Sequence, residues 1–574
     1  MRLRLALTAA VALSAFASVA AAQDMLIYGG TIHTGVDGAA PASVVVVDDG
    51  RISWVGTPDR AEVLPDGRTR FRAASLPDGQ VIISDEGRTF IDLKGATLFP
   101  GFTDGHAHLN GIGQRELTLN LEGSASVAEA MQRLSDWSVA NPDGPIIGRG
   151  WIETHWPEGR FLTRQDLDAA APGRIVLLGR ADGHAVVASS AALQAAGVDA
   201  DTVAPDGGEI LKDASGQPTG LLVDAAEQLV AGLMPREDEA ATRRAYDAGF
   251  RVYSRYGWTG IHYMSAPWAD VPLLERMAEE GAAPIRVYNS VTPDGAQALF
   301  ASGPRSVADG RVITRAVKFY ADGALGSRGA ALFEPYADRP DTTGLMQMGD
   351  EIVPVYEAAL RSGIQAATHA IGDRGNHSVA DWYGRAMEAV PASERPNGDD
   401  VRWRIEHAQI LRPSDYGWFE RLPLVASMQP SHAIGDLHFA PARLGDARLD
   451  GAYAWHSLTD RGVIVVGGSD APVERGDPAI EFYAAVGRRD LSGFQGPDWR
   501  PNEAVDRATA LKMFTIWPAW ASFREDELGT IEVGKRADFT VFDLDLMTVP
   551  LADIPKAKAV YTIVDGVVVY DAED

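Results

Sequence analysis

Eight short apolar runs recur along the middle of the 574-residue chain, with segments of helical character between them. Parallel strands that are buried on both faces have this composition. Eight strand–helix units are what a closed parallel barrel requires. We therefore predict an α/β fold built on a (β/α)8 TIM barrel. The predicted barrel strands cover residues 96–102, 257–264, 284–291, 313–320, 363–368, 401–405, 423–429 and 462–467.

The two ends of the chain differ in texture from its middle. Short alternating apolar and polar stretches, separated by Gly, Pro and Asp, lie between residues 25 and 98 and again after residue 537. This pattern is typical of β-strands joined by turns. We predict a small β-sandwich domain from residues 23–98 plus 528–574, and a barrel from 99–527. The gap after the first barrel strand is too long for one crossover helix, so an inserted α/β subdomain is expected at about 117–239.

The N-terminal residues predict export. Arg2 and Arg4 precede an apolar run, and Ala20-Ala21-Ala22 supplies small residues for cleavage, which is the pattern of a signal peptide at 1–22. The run is shorter than a membrane-spanning helix needs, so we expect no membrane span after cleavage and a periplasmic or secreted protein. The formal net charge of -27 argues against nucleic acid as a partner. There is no cysteine in the chain, which excludes a thiolate ligand or nucleophile.

Polar residues that could bind a metal fall where the predicted strands end. Functional side chains of such barrels lie at the carboxyl ends of the strands. His106 and His108 follow the first strand, and two histidines two positions apart on an extended chain project to the same side. His369 and His407 follow the fifth and sixth strands, and Asp470 follows the eighth. Neutral imidazoles and a carboxylate so placed can bind a divalent ion.

Lys318 lies inside the fourth predicted strand. A lysine buried in a parallel barrel is costly unless it pairs or is modified. Two readings stay open at this point. Either Lys318 pairs with Asp322 or Glu406 in the core, or it belongs to the metal site.

These residues stand in motifs that resemble the amidohydrolase superfamily, and within it the YtcJ-like branch that includes N-substituted formamide deformylases. The resemblance extends over nearly all of the chain after the signal peptide. The motifs are Phe99-Pro-Gly-Phe-Thr-Asp-Gly-His-Ala-His108, Lys318 with Asp322-Gly-Ala-Leu-Gly-Ser-Arg-Gly-Ala330, Thr368-His-Ala-Ile-Gly-Asp373, Ile405-Glu-His-Ala408, Gly468-Ser-Asp-Ala-Pro-Val473 and Gly534-Lys-Arg-Ala-Asp-Phe539.

The resemblance implies a site for one or two divalent metal ions. His106, His108 and Asp470 would bind the more buried ion, and His369 and His407 the more exposed one. Lys318, carboxylated on its amine, would bridge the two. If Lys318 stays unmodified, a one-metal site of the histidines and Asp470 is the better description. Zinc is the first candidate on ligand type, although manganese, iron and nickel also suit imidazole and carboxylate.

The implied activity is hydrolysis of an amide, a non-peptide C–N bond, in a small molecule. A metal-activated hydroxide would attack the carbonyl, with Asp470 as general base that later protonates the leaving amine. His184, Arg328 and His432 are candidate substrate-binding residues. Each has a structural alternative: a loop histidine at 184, an ion pair with acidic residues of the barrel rim at 328, and a structural role at 432.

Other functions stay open on the sequence alone. A deaminase of the same superfamily is disfavoured because the glutamate expected three residues after His369 is absent, and Gly372 stands there. Hydrolysis of dipeptides or lactones, and a catalytically inert scaffold with the same fold, are further alternatives. The substrate, the metal and whether the chain forms a homo-oligomer are not fixed by these motifs.

Overall fold

The computed structural model of the chain describes residues 24–63, 69–72, 81–83, 88–153, 156–180, 185–205, 208–234 and 238–573. The predicted signal peptide and His184 lie outside the described residues. Within these ranges, no helix is long and apolar enough to cross a membrane. The chain divides into two compact units. The first comprises residues up to 107, 253–469 and those from 476 onward, and the second comprises 108–252 with 470–475.

Eight parallel strands form the barrel sheet of the first unit, paired from the first to the eighth in chain order. The third strand is buried at all six positions, as the continuous apolar runs predict. A short strand, Arg305–Val307, pairs antiparallel with the fourth. The barrel strands are Phe102–Ala107, Trp258–Ala266, Arg286–Val291, Val312–Tyr320, Gln365–Ala370, Trp403–His407, Leu424–Met428 and Val465–Gly467.

A close approach at Gly105 brings the eighth strand against the first. A Cβ atom at Gly105 would lie 2.2 Å from Cγ1 of Val466 and 2.6 Å from the carbonyl oxygen of Gly467. Any side chain there would push the two strands apart, so the barrel closes around a position that only glycine can occupy. The predicted α/β barrel fold is confirmed.

The first barrel strand was predicted at 96–102, and this position is wrong. Residues Thr97–Pro100 form a strand of a different sheet, where they pair with Met25–Ile32 and Phe539–Phe542. The run is apolar because it is buried in that sheet, and the barrel strand begins two residues later at Phe102. His106 therefore lies within the strand and not after it.

The sheet that contains Thr97–Pro100, here named the end sheet, joins strands from both ends of the chain. Its core includes Ile27, Val45, Leu98, Phe539 and Ile563, all with no exposed surface. The domain boundaries at 23–98, 528–574 and about 117–239 stay predictions. The strands of this sheet are Met25–Ile32, Ala42–Asp48, Arg51–Gly56, Thr89–Asp92, Thr97–Pro100, Phe539–Phe542, Ala559–Val564 and Val567–Asp571. A separate three-stranded sheet is Arg60–Val63, Thr69–Arg72 and Val81–Ile83.

The helices of the first unit stand between and after the barrel strands along the chain. The longest begins after the fifth strand and buries Val379, Trp382 and Tyr383. The helices are Val271–Glu279, Ala296–Ser302, Val353–Ser362, Asp373–Ala389, Gly417–Arg421, Pro430–Asp436, Ala440–Leu444, Trp455–Thr459, Pro478–Gly487, Arg507–Phe514 and Ile516–Ala521.

The second unit has its own mixed sheet of six strands. Some helices of this unit begin at side-chain caps. The Ser126 side chain accepts a hydrogen bond from the amide of Glu129, and Thr163 forms a capping box with Asp166. The strands are Leu119–Asn120, Ile146–Trp151, Val176–Arg180, Ala185–Ala188, Gly208–Lys212 and Pro218–Asp224. The helices are Leu109–Leu117, Val127–Ala140, Arg164–Ala170, Ser190–Ala196 and Gln228–Ala231, followed by Glu239–Tyr256, which continues into the first unit.

Buried Thr540 links the end sheet to the barrel. Its hydroxyl accepts a hydrogen bond of 2.9 Å from the amide of Phe102 and donates one of 2.7 Å to the carbonyl oxygen of Gly257. The two residues bonded to it stand just before or at the start of the first and second barrel strands. One side chain therefore fixes where two barrel strands begin.

Replacing Thr540 by Val should destabilise the protein by about 3 kcal/mol, because a buried amide and a buried carbonyl both lose their partner. Thr540→Ser keeps the hydroxyl and is the matched control. Denaturant unfolding of both variants measures the difference. Equal stability of the two variants would show that the hydroxyl does not support this junction.

Candidate metal centre

Four of the predicted ligands lie together in the first unit, at the carboxyl ends of the barrel strands. His106 is in the first strand, Lys318 in the fourth, His369 in the fifth, and His407 is the last residue of the sixth. The imidazole ring of His407 lies 4.9 Å from that of His106 and 4.5 Å from that of His369, measured between centroids. Nζ of Lys318 lies 3.4 Å from Nε2 of His106. Three imidazoles and an amine thus converge on one region.

His106 is held by a carboxylate from a neighbouring part of the barrel. Its Nδ1 lies 2.6 Å from Oε2 of Glu406, and neither side chain has exposed surface. Its backbone amide also donates to Oδ1 of Asp104, at 3.1 Å. The ring orientation of His106 is therefore fixed, with Nε2 as the nitrogen that faces Lys318.

Beneath His106, Glu406 forms an ion pair with Arg404. The Arg404 guanidinium donates to both carboxylate oxygens, at 2.6 and 3.1 Å. Burial by itself would raise the pKa of Glu406, but the charge of Arg404 and the hydrogen bond with His106 hold that pKa well below its usual range. Glu406 is thus a carboxylate that accepts hydrogen bonds from both neighbours.

The same guanidinium lies 2.6 Å from Nδ1 of His262 in the second strand. Burial, and then the charge of Arg404, lower the pKa of His262 well below its ordinary value. His262 is therefore a neutral acceptor in the core and not a member of the metal centre.

His407 is positioned by the seventh strand and by an unusual backbone. Its Nδ1 lies 2.8 Å from Oε1 of Gln429, which directly follows that strand. Its φ angle is +72°, in the left-handed region, where a side chain other than glycine is strained. The ring of His432 stacks at 6.0 Å from that of His407. Strain of this kind is retained where the surrounding structure fixes the residue.

Asp322 organises the loop next to His369. Its carboxylate accepts hydrogen bonds from the amides of Ala331, Ile371 and Gly372, at 2.9, 2.9 and 2.8 Å. Nε2 of His369 lies 3.4 Å from Oδ1 of the same carboxylate. Lys318 lies beside His106, and its charge is among the causes that lower the pKa of Glu406. The metal-site reading of Lys318 stays a prediction.

The other two predicted ligands, His108 and Asp470, belong to the second unit. Nε2 of His108 lies 2.9 Å from Oδ1 of Asp470, and the His108 amide donates to the carbonyl oxygen of Ala471 at 2.8 Å. Asp470 has a φ of +58° and directly follows Ser469 along the chain. A carboxylate beside an imidazole can share a cation with it or exchange a proton with it.

The predicted substrate-binding residues have different outcomes. His184 lies outside the described residues. Arg328 forms an ion pair with Asp338, at 2.8 Å, which is the alternative kept for it on the sequence. His432 lies beside His407, as its position after the seventh strand implies. Substrate contact by these three residues stays a prediction.

Several residues that support the histidines are not predicted by the sequence motifs. Arg404 and Gln429 carry no motif of their own, and Glu406 was considered only as a partner for Lys318. A signal was present in the spacing, because Arg404 and Glu406 alternate along the sixth strand and so share one face of it.

Comparison with known proteins identifies the family. The amidohydrolase family matches residues 89–570. YtcJ of Bacillus subtilis (strain 168) is 32% identical over 555 residues, which cover 95% of this chain and 99% of that protein. The chain belongs to the amidohydrolase family. The resemblance drawn from the motifs, including the YtcJ-like branch, is confirmed.

Other relatives of this amidohydrolase agree with that assignment. N-substituted formamide deformylase of Arthrobacter pascens is 29% identical over 579 residues, which cover 96% of this chain and 98% of that protein. The solved structure of an uncharacterized metal-dependent hydrolase from Pyrococcus furiosus has a TM-score of 0.71 and 26% identity, with 92% of this chain and 100% of that chain covered. This chain is therefore a metal-dependent hydrolase.

Within the part of the chain that the structure describes, the carboxyl group of Asp436 has neutral hydrogen-bond partners only. Asp436 ends the helix that carries His432, and its carboxylate accepts from Nε2 of Gln409 at 2.8 Å and from the hydroxyl of Tyr453 at 2.6 Å. The residue keeps some exposed surface, but protein surrounds the carboxyl group, and burial raises its pKa to about 7. Asp436 therefore stays protonated in the folded state over a range where an exposed aspartate is ionised.

The pKa of Asp436 predicts a pH dependence of stability. The stabilisation that results from the raised pKa of Asp436 is complete below about pH 4. It is lost as the pH rises toward 7, by up to about 1.4 kcal/mol per pH unit. Asp436→Asn cannot ionise and should lose this dependence. Thermal unfolding of the wild type and of Asp436→Asn between pH 4 and 8 measures this pH dependence. Asp294→Asn, at an exposed position, is the control. Parallel curves for wild type and Asp436→Asn would refute the prediction.

Proposed function

We propose that the chain hydrolyses an amide, a non-peptide C–N bond, in a small molecule. The observation that carries this proposal is the convergence of His106, His369, His407 and Lys318, with His106 held by Glu406 and His407 by Gln429. The family membership supports hydrolysis. The similarity to N-substituted formamide deformylase supports an amide or formamide as the substrate class.

The residues of the first unit fit a divalent metal ion. Histidine ligands of metals usually donate their second ring nitrogen to a carboxylate or carbonyl oxygen, which fixes the tautomer. His106 has Glu406 in this position and His407 has the amide oxygen of Gln429. With Nδ1 of each ring engaged in this way, Nε2 would be the nitrogen that holds the metal. His369 and Lys318, carboxylated on Nζ, would complete this part of the ligand set, and zinc is the proposed ion.

His108 and Asp470 are proposed as the remaining ligands on their positions in the sequence. The second unit keeps His108 and Asp470 in hydrogen-bond contact at 2.9 Å. A divalent ion, when bound, lowers the pKa of water toward neutrality and polarises a carbonyl group. Asp470 accepts the proton released by the attacking water and returns it to the leaving amine. His432 donates a hydrogen bond to the substrate.

Export is proposed for the same protein. Residues 1–22 carry the charged, apolar and small-residue regions of a cleavable signal, so the mature chain would begin at Gln23 in the periplasm or outside the cell. Mass measurement of the N-terminal peptide of protein recovered from each compartment tests this directly.

Glu406→Gln should weaken metal binding. A neutral amide orients His106 less well and makes its imidazole a weaker ligand for a metal ion. Loss of such a partner typically costs about ten- to a hundredfold in metal affinity. Competition with a chelator measures the affinity, and elemental analysis measures the metal bound per chain. Arg133→Gln, at a surface ion pair of the second unit, is the control. Unchanged affinity in Glu406→Gln would remove His106 from the ligand set.

Hydrolysis itself is tested with a panel of N-acyl and N-formyl amines on metal-loaded protein, followed by release of the amine. Removal of the metal should abolish activity, and activity should return when the metal and bicarbonate are added. Asp470→Asn should lower the turnover per bound metal by about a hundredfold or more, because the proton acceptor is lost. Equal turnover in this variant would refute the role of Asp470, and turnover without metal would refute the whole proposal.

A further inference from the structure

The second unit contains a cavity that none of the predicted ligands lines. Its volume is about 610 Å³. Pockets of roughly 300–1,000 Å³ are typical of sites for small organic ligands. Most of its wall is apolar, with Ile147, Leu177, Val186 and Val230 among the lining residues.

The strand Ile146–Trp151 contributes one charged residue, Arg149, to the wall of the cavity. Ile147 and Arg149 alternate along this strand, so both side chains project toward the same face. Ile147 packs against the core around Leu177 and Val230. Arg149 therefore lines a cavity whose wall is mostly apolar.

A glycine stands opposite Arg149 and leaves space beside it. Gly179 of the neighbouring strand pairs with Arg149 in register. A Cβ atom at Gly179 would have no neighbour closer than 3.8 Å, and its φ angle is not in the left-handed region. A side chain is sterically allowed at residue 179. The absence of a side chain at Gly179 keeps the cavity open beside Arg149.

The side chain of Arg149 has no hydrogen bond or ion pair within the ranges that the structure describes. A guanidinium presents a planar pair of donors that matches a carboxylate. A partly buried cation on an apolar wall favours a ligand that supplies the missing anion.

We propose that this cavity is a binding site for an organic monocarboxylate with an apolar body, such as a medium-chain fatty acid. The carboxylate pairs with Arg149, and the apolar body packs against Ile147, Leu177 and Val230. Glu227 also lines the cavity, and its charge disfavours a ligand with a second carboxylate. The proposal does not depend on which bond the enzyme hydrolyses.

The cavity also touches the segment that carries Asp470. Pro472 lines it, and Arg115 donates to the carbonyl oxygens of Glu474 and Arg475, both at 3.1 Å. An occupant therefore contacts the 470–475 segment directly. Bound carboxylate should protect this segment against hydrogen exchange.

The test uses octanoate and 1-octanol, which share an alkyl chain and differ in charge. Isothermal titration of the full-length, metal-loaded protein should give saturable binding of octanoate, with 1-octanol at least about tenfold weaker, since one charge-assisted pair contributes about that much. Arg149→Gln should weaken octanoate by about tenfold and leave 1-octanol unchanged. Gly179→Val fills the cavity and should abolish both. Arg133→Gln, already paired with Glu129, is the matched control.

The variants also separate this cavity from the metal centre, where a carboxylate could bind as a ligand. Octanoate bound at the metal would be unaffected by Arg149→Gln and by Gly179→Val, and this result would overturn the proposal. Equal binding of octanoate and 1-octanol would overturn the assigned ligand class. No saturable binding of octanoate would overturn the site itself. Thermal unfolding of each variant shows that it is folded.

Discussion

The buried ion pair between Arg404 and Glu406 is the interaction on which the predicted metal centre depends. Two charges without exposed surface are costly unless each finds several partners. Arg404 also donates to the carbonyl oxygen of Gly105 at 2.6 Å and to the hydroxyl of Ser427 at 2.9 Å, and it contacts His262. The pair therefore joins the first, second, sixth and seventh barrel strands. Removing either partner would leave an uncompensated charge in the barrel and release His106.

The residues around this pair show how the barrel holds the predicted ligands on its strands. His106 and Lys318 are parts of strands, and His407 is the last residue of one. Where the chain leaves the strand, His407 adopts a left-handed backbone conformation that costs free energy. The hydrogen bond with Gln429 compensates part of this cost and aims the ring. Neighbouring strands thus support the side chains that are predicted to bind the metal.

The sequence predicts the strands and most strand ends because both depend on local patterns. Continuous apolar runs predict the barrel strands, and histidines at their ends predict the centre. The first strand was misplaced because Leu98 and Phe99 are as apolar as a barrel strand, although they are buried in the end sheet. The true first strand contains Asp104 and His106, whose polarity conceals it. The partners Arg404, His262 and Gln429 could not be predicted, since their contacts depend on packing between distant strands.

The proposed carboxylate site also depends on contacts between strands that the sequence does not predict. In the sequence, Arg149 alternates with glycines and apolar residues, and a charged residue in such a strand is ordinarily read as the solvent face. Only the register that places Gly179 beside Arg149, together with the wall formed by Val230, turns that face into a cavity. A glycine and an arginine thirty residues apart predict no binding site from the sequence alone. In the folded unit, the glycine leaves space beside Arg149 that a ligand can occupy.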